Sequence, residues 1–223
     1  GVPVLAIGLV YAARGSLRGR IVWLGGLAYA TYMWATVGLQ VAFNAFFLGY
    51  VALFGLSLFA FVGGMADTDA DAIRRAVEGH VSTGLYGGSL VLIALGLAAL
   101  WLSDLAPALL AGTTPRIVEE AGPQATVSHV IDLGVVVPSL AIAGLWLRRE
   151  RSWGYVFAGV VLVLGALLAS SISAMTLAIA SAGTISLSPA AAFLSLSPVV
   201  VAVVLAARYL ASMDGRPDSR TPA

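Results

Sequence analysis

Asp132 and His129 stand three residues apart in an otherwise apolar stretch. On a helix that spacing puts both side chains on one face. An acid and an imidazole so placed can pair, relay a proton or share a cation. An ionisable group inside an apolar span is costly to hold there, which makes Asp132 a functional candidate. It is the one acid that falls inside such a span. The plainer reading is an acid near a helix start, stabilised by the helix dipole and reached by water.

Tyr29, Tyr32, Thr36 and Gln40 follow one another at spacings of three, four and four, so they form a single stripe along a helix. Asn44 follows at the turn into the next span. Such a stripe either hydrogen-bonds neighbouring helices or forms one wall of a pocket. Ser170, Ser171, Ser173 and Thr176 make a third polar group, and Gly165, Ala169 and Ser173 form a small-residue ridge suited to close helix packing. Pro138 and Pro198 each free a backbone carbonyl and can kink a helix. Ser139 lies on the Asp132 face, so a kink at Pro138 would open that face to a ligand. Gln40, Asn44, His129, Asp132, Ser171 and Ser173 all map to the same half of their spans. The expectation is a pocket in that half, with Asp132, His129, Tyr32, Tyr29, Thr36, Gln40, Asn44 and Ser139 as its ligand-binding or coupling candidates.

Several chemistries are pruned. The chain has no cysteine, and its twelve basic residues are all arginine. There is then no thiolate, no disulfide and no lysine Schiff base. No HExxH, GxSxG, P-loop or dinucleotide fingerprint occurs. No metal site and no cofactor are expected, and a catalytic role is the least favoured. A formal net charge of +1 offers no field for nucleic acid.

The elements that position these residues follow from composition. Of 223 residues, 60% are hydrophobic and 10% charged, against about 25% charged in a soluble domain. Mean hydropathy is +0.96. Such a surface calls for a bilayer as its main solvent. The chain reads as all-α: one transmembrane helical bundle over residues 1–223, multi-pass, in the cell (cytoplasmic) membrane, its partners being membrane lipids. Apolar segments give about seven spans: one ending near Ala13, then Ile21–Gln40, Ala45–Gly64, Gly84–Leu102, His129–Leu147, Trp153–Ala180 and Pro189–Ala211. The first, from Gly1, is short and reads as a truncated helix. Threaded this way, Arg14, Arg18, Arg20, Arg74, Arg75, Arg148, Arg149, Arg151, Arg208, Arg216 and Arg220 share one side, and Arg116 lies alone on the other. The positive-inside rule then puts the C-terminus in the cytoplasm and the polar half of the spans outside. Tyr11, Trp23, Trp146, Trp153 and Tyr209 fall at inner ends and Trp101 at an outer end, as interfacial aromatics do. Asp67–His80 reads as a short amphipathic helix on the inner surface, with Ala70, Ile73 and Val77 on one face. The segment Ser103–Ser128 reads as an outer loop with one helical turn, capped by Thr114, opened by Pro115 and ended at Gly122.

Three stretches, YATYMWATVGLQVAFNAFFLGYVAL, SHVIDLGVVVPSLAIAGLWLRRERSWGYV and PALLAGTTP, resemble a family of bacterial integral membrane proteins with no assigned activity. The similarity runs from about Ile21 to Met175. It implies a multi-pass membrane protein and draws attention to Tyr32, Asn44, His129, Asp132, Pro138 and Trp153. Thr31 and Met33 flank Tyr32 where the family pattern has a more polar Tyr-Asn-Tyr run. Three functions fit the residues, in this order: a protein binding a lipid or small apolar ligand in the outer-half pocket; a proton- or cation-coupled transporter using Asp132 and His129; and an intramembrane enzyme with His129 as base and Asp132 as its orienter.

Overall fold

The computed structural model describes residues 1–183 and 188–214. Arg216, Arg220 and most of the turn at Gly183–Ser188 lie outside the described residues. The described chain is helical, with no strand. Its helices are α1 (Val2–Ala13), α2 (Leu17–Gln40), α3 (Phe47–Ala66), α4 (Ala70–Val77), α5 (Thr83–Ala111), α6 (Arg116–Ala121), α7 (Thr126–Ile131), α8 (Val137–Arg148), α9 (Ser152–Ser181) and α10 (Pro189–Ala211). A π-helical turn, Asp132–Val136, joins α7 to α8, so that Pro123–Arg148 is one continuous rod.

Four helices are long and apolar enough to cross a membrane: α3, α5, the Pro123–Arg148 rod and α9. α2 is as long, at 24 residues, but Arg18, Arg20 and its tyrosine and glutamine stripe lower its hydropathy. α1 and the Leu196–Ala211 part of α10 are shorter apolar helices. α2 packs on α1, α3 and α9, and α9 also packs on α8, α10 and α4. α5 packs on α8. Large apolar side chains on the outer faces, such as Leu56 and Phe59 of α3 and Leu92 and Leu95 of α5, are exposed. An apolar exterior on this scale needs an apolar solvent or partner.

The arginine-bearing loops gather at one end. Arg18 Nε donates to the Leu210 carbonyl at 3.0 Å. Arg20 donates to the Asp67 carbonyl at 2.7 Å and pairs with its carboxylate. Ser152 donates to the Asp71 carboxylate, tying α4 to the start of α9. The densest core lies at this end, where Ile21, Leu24, Ile73, Val77, Leu147, Tyr155 and Tyr209 are sealed from solvent. α4 forms as expected: Asp69 accepts from Ala72 N at 2.9 Å, and Ile73 and Val77 face inward.

Two expectations are corrected. Ser103 and Asp104 do not begin a loop; α5 continues to Ala111, past Pro107. The segment Leu105–Ala111 is apolar enough to extend the helix, and Gly112 ends it in the left-handed region at φ 65°. Asp104, projecting from α5, accepts from the backbone N–H of Arg116 and Ile117 at 3.0 and 3.1 Å. It satisfies the start of α6 in place of Thr114, and Pro115 stands just before that helix rather than inside it. Tyr209 is an interior residue, not an interfacial one: its hydroxyl donates to the Tyr155 carbonyl at 2.6 Å.

The two tight hairpins use the same stop signal with different residues. After α1, Gly15 N bonds Ala12 O and Ser16 N bonds Tyr11 O. After α8, Glu150 N bonds Leu147 O and Arg151 N bonds Trp146 O. Both are Schellman closures, which need a left-handed residue at the first position beyond the cap. Gly15 meets that need without strain at φ 82°, whereas Glu150 is held at φ 52°. A Cβ in that region costs roughly 1 kcal/mol. Glu150→Gly is therefore expected to raise stability by about 0.5–1 kcal/mol, read as a shift in detergent unfolding. A loss of stability would mean that the glutamate side chain supports the turn.

Candidate functional site

Tyr32, Trp101, His129 and Asp132 meet where α2, α5 and the α7–α8 rod converge. Tyr32 Oη donates to Asp132 Oδ1 at 3.0 Å. Trp101 Nε1 donates to Asp132 Oδ2 at 3.0 Å. Each carboxyl oxygen thus holds one neutral donor from a different helix. Asp132 is 8% exposed, and among the described residues it makes no ion pair. His129 does not pair with it. The His129 ring sits edge-on against Trp101, with centroids 4.5 Å apart, and its Nδ1 lies 3.0 Å from the Ala125 carbonyl. A carbonyl can only accept, so that contact places a ring proton on Nδ1. Nε2 is buried and has no hydrogen-bond partner among the described residues; the residue as a whole is 4% exposed.

Pro138 explains the π turn. A proline has no N–H, and its ring crowds the carbonyl four residues back, here that of Gly134. The helix relieves this by widening: Val137 N–H reaches back five residues to the Asp132 carbonyl. A π turn inserts about one residue, which rotates everything beyond it by roughly 100° relative to an unbroken α-helix. Seven residues would place Ser139 on the Asp132 face of a regular helix, and the π turn between them shifts that phase by about one residue.

The rest of the α2 stripe is distributed along a seam and not gathered in one pocket. The hydroxyls of Tyr29 and Ser171 are 2.7 Å apart, linking α2 to α9. Gln40 Nε2 donates to Ser128 Oγ at 2.9 Å, linking α2 to α7. Thr36 donates to the Tyr32 carbonyl within its own helix. Asn44 is spent on the α2–α3 turn: its Oδ1 accepts from Phe46 N at 2.8 Å and its Nδ2 donates to the Ala42 carbonyl. Trp101 and Ser128 are the members that sequence reasoning missed. From the sequence, Trp101 reads only as an interfacial ring. No three His, Asp or Glu side chains converge on a point that could hold a metal ion, among the described residues.

No family model, curated protein or solved structure matches the chain.

Proposed function

We propose that the chain is a seven-crossing protein of the cytoplasmic membrane, with its arginine-rich end and C-terminus in the cytoplasm, and that it couples the movement of a small solute to proton or cation exchange at Asp132. The gathering of the arginine loops at one end supports the orientation through the positive-inside rule. The observation that carries the function is a buried carboxylate held between two neutral donors from separate helices, with no cation paired to it among the described residues. Intramembrane acids of this kind mark ion and proton pathways. The π turn at Asp132–Val136 supports the same reading, because π turns within helices are frequent at functional sites.

The donors also constrain the chemistry. An indole N–H can only donate, and the carbonyl oxygen of a carboxylic acid is a better acceptor than its hydroxyl oxygen, so the Trp101 bond to Oδ2 favours a proton on the other oxygen. A proton arriving at Asp132 therefore belongs on Oδ1. There the Tyr32 hydroxyl switches from donor to acceptor and must turn its own hydrogen elsewhere. Protonation thus breaks and remakes the α2 contact while leaving the α5 contact intact. His129, stacked edge-on against Trp101, has its Nε2 buried in the same cluster without a hydrogen-bond partner among the described residues.

This arrangement favours coupling over a lipid pocket at the same place. A ligand pocket leaves its polar lining open, whereas Asp132 is buried and both its oxygens are taken up by the half-buried Tyr32 and Trp101. The test is difference infrared spectroscopy on the reconstituted protein. A carboxyl C=O band that appears and disappears with pH, and is absent in Asp132→Asn, is the expected result. Proton flux into liposomes under an imposed gradient should fall at least tenfold in the same variant. A pH-invariant spectrum together with unchanged flux would remove Asp132 from coupling.

A further inference from the structure

We propose that the cavity between α4 and the α8–α9 turn binds the phosphoryl headgroup of an anionic phospholipid. The cavity has a volume of about 550 Å³ and lies at the arginine-rich end of the bundle, away from Asp132. Its volume is within the range of small-ligand sites, roughly 300–1,000 Å³.

The charges at its mouth are unevenly committed. Arg74 is bound by Glu78 one turn on, at 2.9 and 3.2 Å, and that hydrogen bonding holds the Glu78 carboxyl below its ordinary value. Asp71 accepts from Ser152. Arg149 makes no ion pair among the described residues, and Arg151 lies over the Trp146 ring at 5.8 Å from its centroid. Asp71 and Glu150 also line the cavity, so its anion-binding capacity rests on the guanidinium forks of Arg149 and Arg151 and not on an excess of positive charge. A guanidinium is a fork that matches phosphate geometry, and two of them flank this opening. Glu150 is held in the left-handed region, at a cost in backbone strain, between the two arginines.

The apolar surroundings select a lipid over free phosphate. Trp146 and Trp153 line the cavity, and indoles favour the headgroup level of a bilayer. Ile142 and Leu145 of α8, one to two turns from Arg149 towards the bundle's middle, are exposed. They offer a surface for acyl chains directly below a headgroup seated in the cavity. α4 supplies the opposite wall and is anchored by Ile73 and Val77. Basic pockets between helices at the cytoplasmic surface recognise anionic headgroups in this manner.

Native mass spectrometry of the full chain in detergent, titrated with phosphatidylglycerol or phosphatidylcholine, tests the assignment. Phosphatidylglycerol is expected to bind at least tenfold more tightly. Each arginine near a charged surface contributes about fivefold in affinity, so Arg149→Gln should weaken binding about fivefold and Arg149→Gln with Arg151→Gln about 25-fold. Arg14→Gln with Arg75→Gln removes the same charge from the same end but outside the cavity, and should leave binding within twofold. Equal losses in the two double variants would replace the site with a diffuse field and overturn the proposal. So would equal binding of phosphatidylcholine. Displacement of the lipid by inorganic phosphate at low millimolar concentration would assign the site to the free anion instead.

Discussion

Asp132→Ala is expected to destabilise the bundle by roughly 2–4 kcal/mol, whereas Asp132→Asn should cost less than about 1 kcal/mol while abolishing proton exchange. The alanine removes two interhelical hydrogen bonds at once and leaves Tyr32 Oη and Trp101 Nε1 facing an apolar gap. Orphaned buried donors cost more than the net worth of the bonds they made. Asparagine behaves differently because its two ends differ. Its carbonyl oxygen can accept from Trp101, which can only donate, and its amide N–H can donate to Tyr32, whose hydroxyl can turn and accept. That amide has the same hydrogen-bonding pattern as the protonated acid. The pair of variants therefore separates a structural role from a coupling role. Unfolding in mixed detergent reads the first, and the infrared and flux measurements read the second. Equal destabilisation by both variants would show that the site needs the full carboxylate to hold its shape.

The part of this that was legible in the sequence is the part that depends on composition and helical phase. The scarcity of charge called for long apolar helices, the three-four-four spacing put Tyr29, Tyr32 and Gln40 on one stripe, and Pro189–Ala211 is bounded in the structure where the hydrophobic pattern bounds it. Helix α4, eight residues within the expected Asp67–His80 segment, announced itself by its acids, arginines and Gly79. What could not be read is set by helix crossings. Trp101 Nε1 finds Asp132 because α5 lies against the rod, and nothing local to Trp101 distinguishes that from an interfacial ring. Asn44 sits at the turn after Gln40, as the spans implied, but its side chain is spent on closing that turn, which no local pattern announced. The phase argument for Ser139 assumes an unbroken 3.6-residue helix, and the π turn at Asp132–Val136 breaks that assumption. Pro138 signalled a disturbance but not its form: an open kink and a widened turn both relieve the same clash, and the widened turn keeps the Asp132 face closed.

Gly144→Val is expected to cost at least roughly 3 kcal/mol, at the upper end of overpacking penalties, because the group it meets is backbone. A Cβ at Gly144 would stand 2.6 Å from the Gly87 carbonyl oxygen and 2.9 Å from Val91 Cγ2. Reciprocally, one at Gly87 would stand 2.7 Å from the Gly144 carbonyl oxygen. This is the closest approach of α5 to α8, and small residues are what permit it. A Cβ at Gly88, next to Gly87 in sequence, would meet nothing within 4 Å, so Gly88→Val should stay within about 0.5 kcal/mol of the parent. Sequence alone treats the two glycines alike; only the facing helix tells them apart. The crossing also reaches the site. α5 and α8 run antiparallel, with Gly87 against Gly144 near one end and Trp101 against Asp132 near the other. By helix rise, Gly144 is about 18 Å from Asp132 along the rod. A side chain wedged at the glycine contact must tilt or separate the helices, and the 3.0 Å Trp101–Asp132 bond has no slack to follow. Gly144→Val should therefore change the Trp101 N–H Raman signature as well as the unfolding midpoint, and Gly88→Val should change neither. Similar shifts for the two variants would mean that the helices do not cross at Gly87 and Gly144.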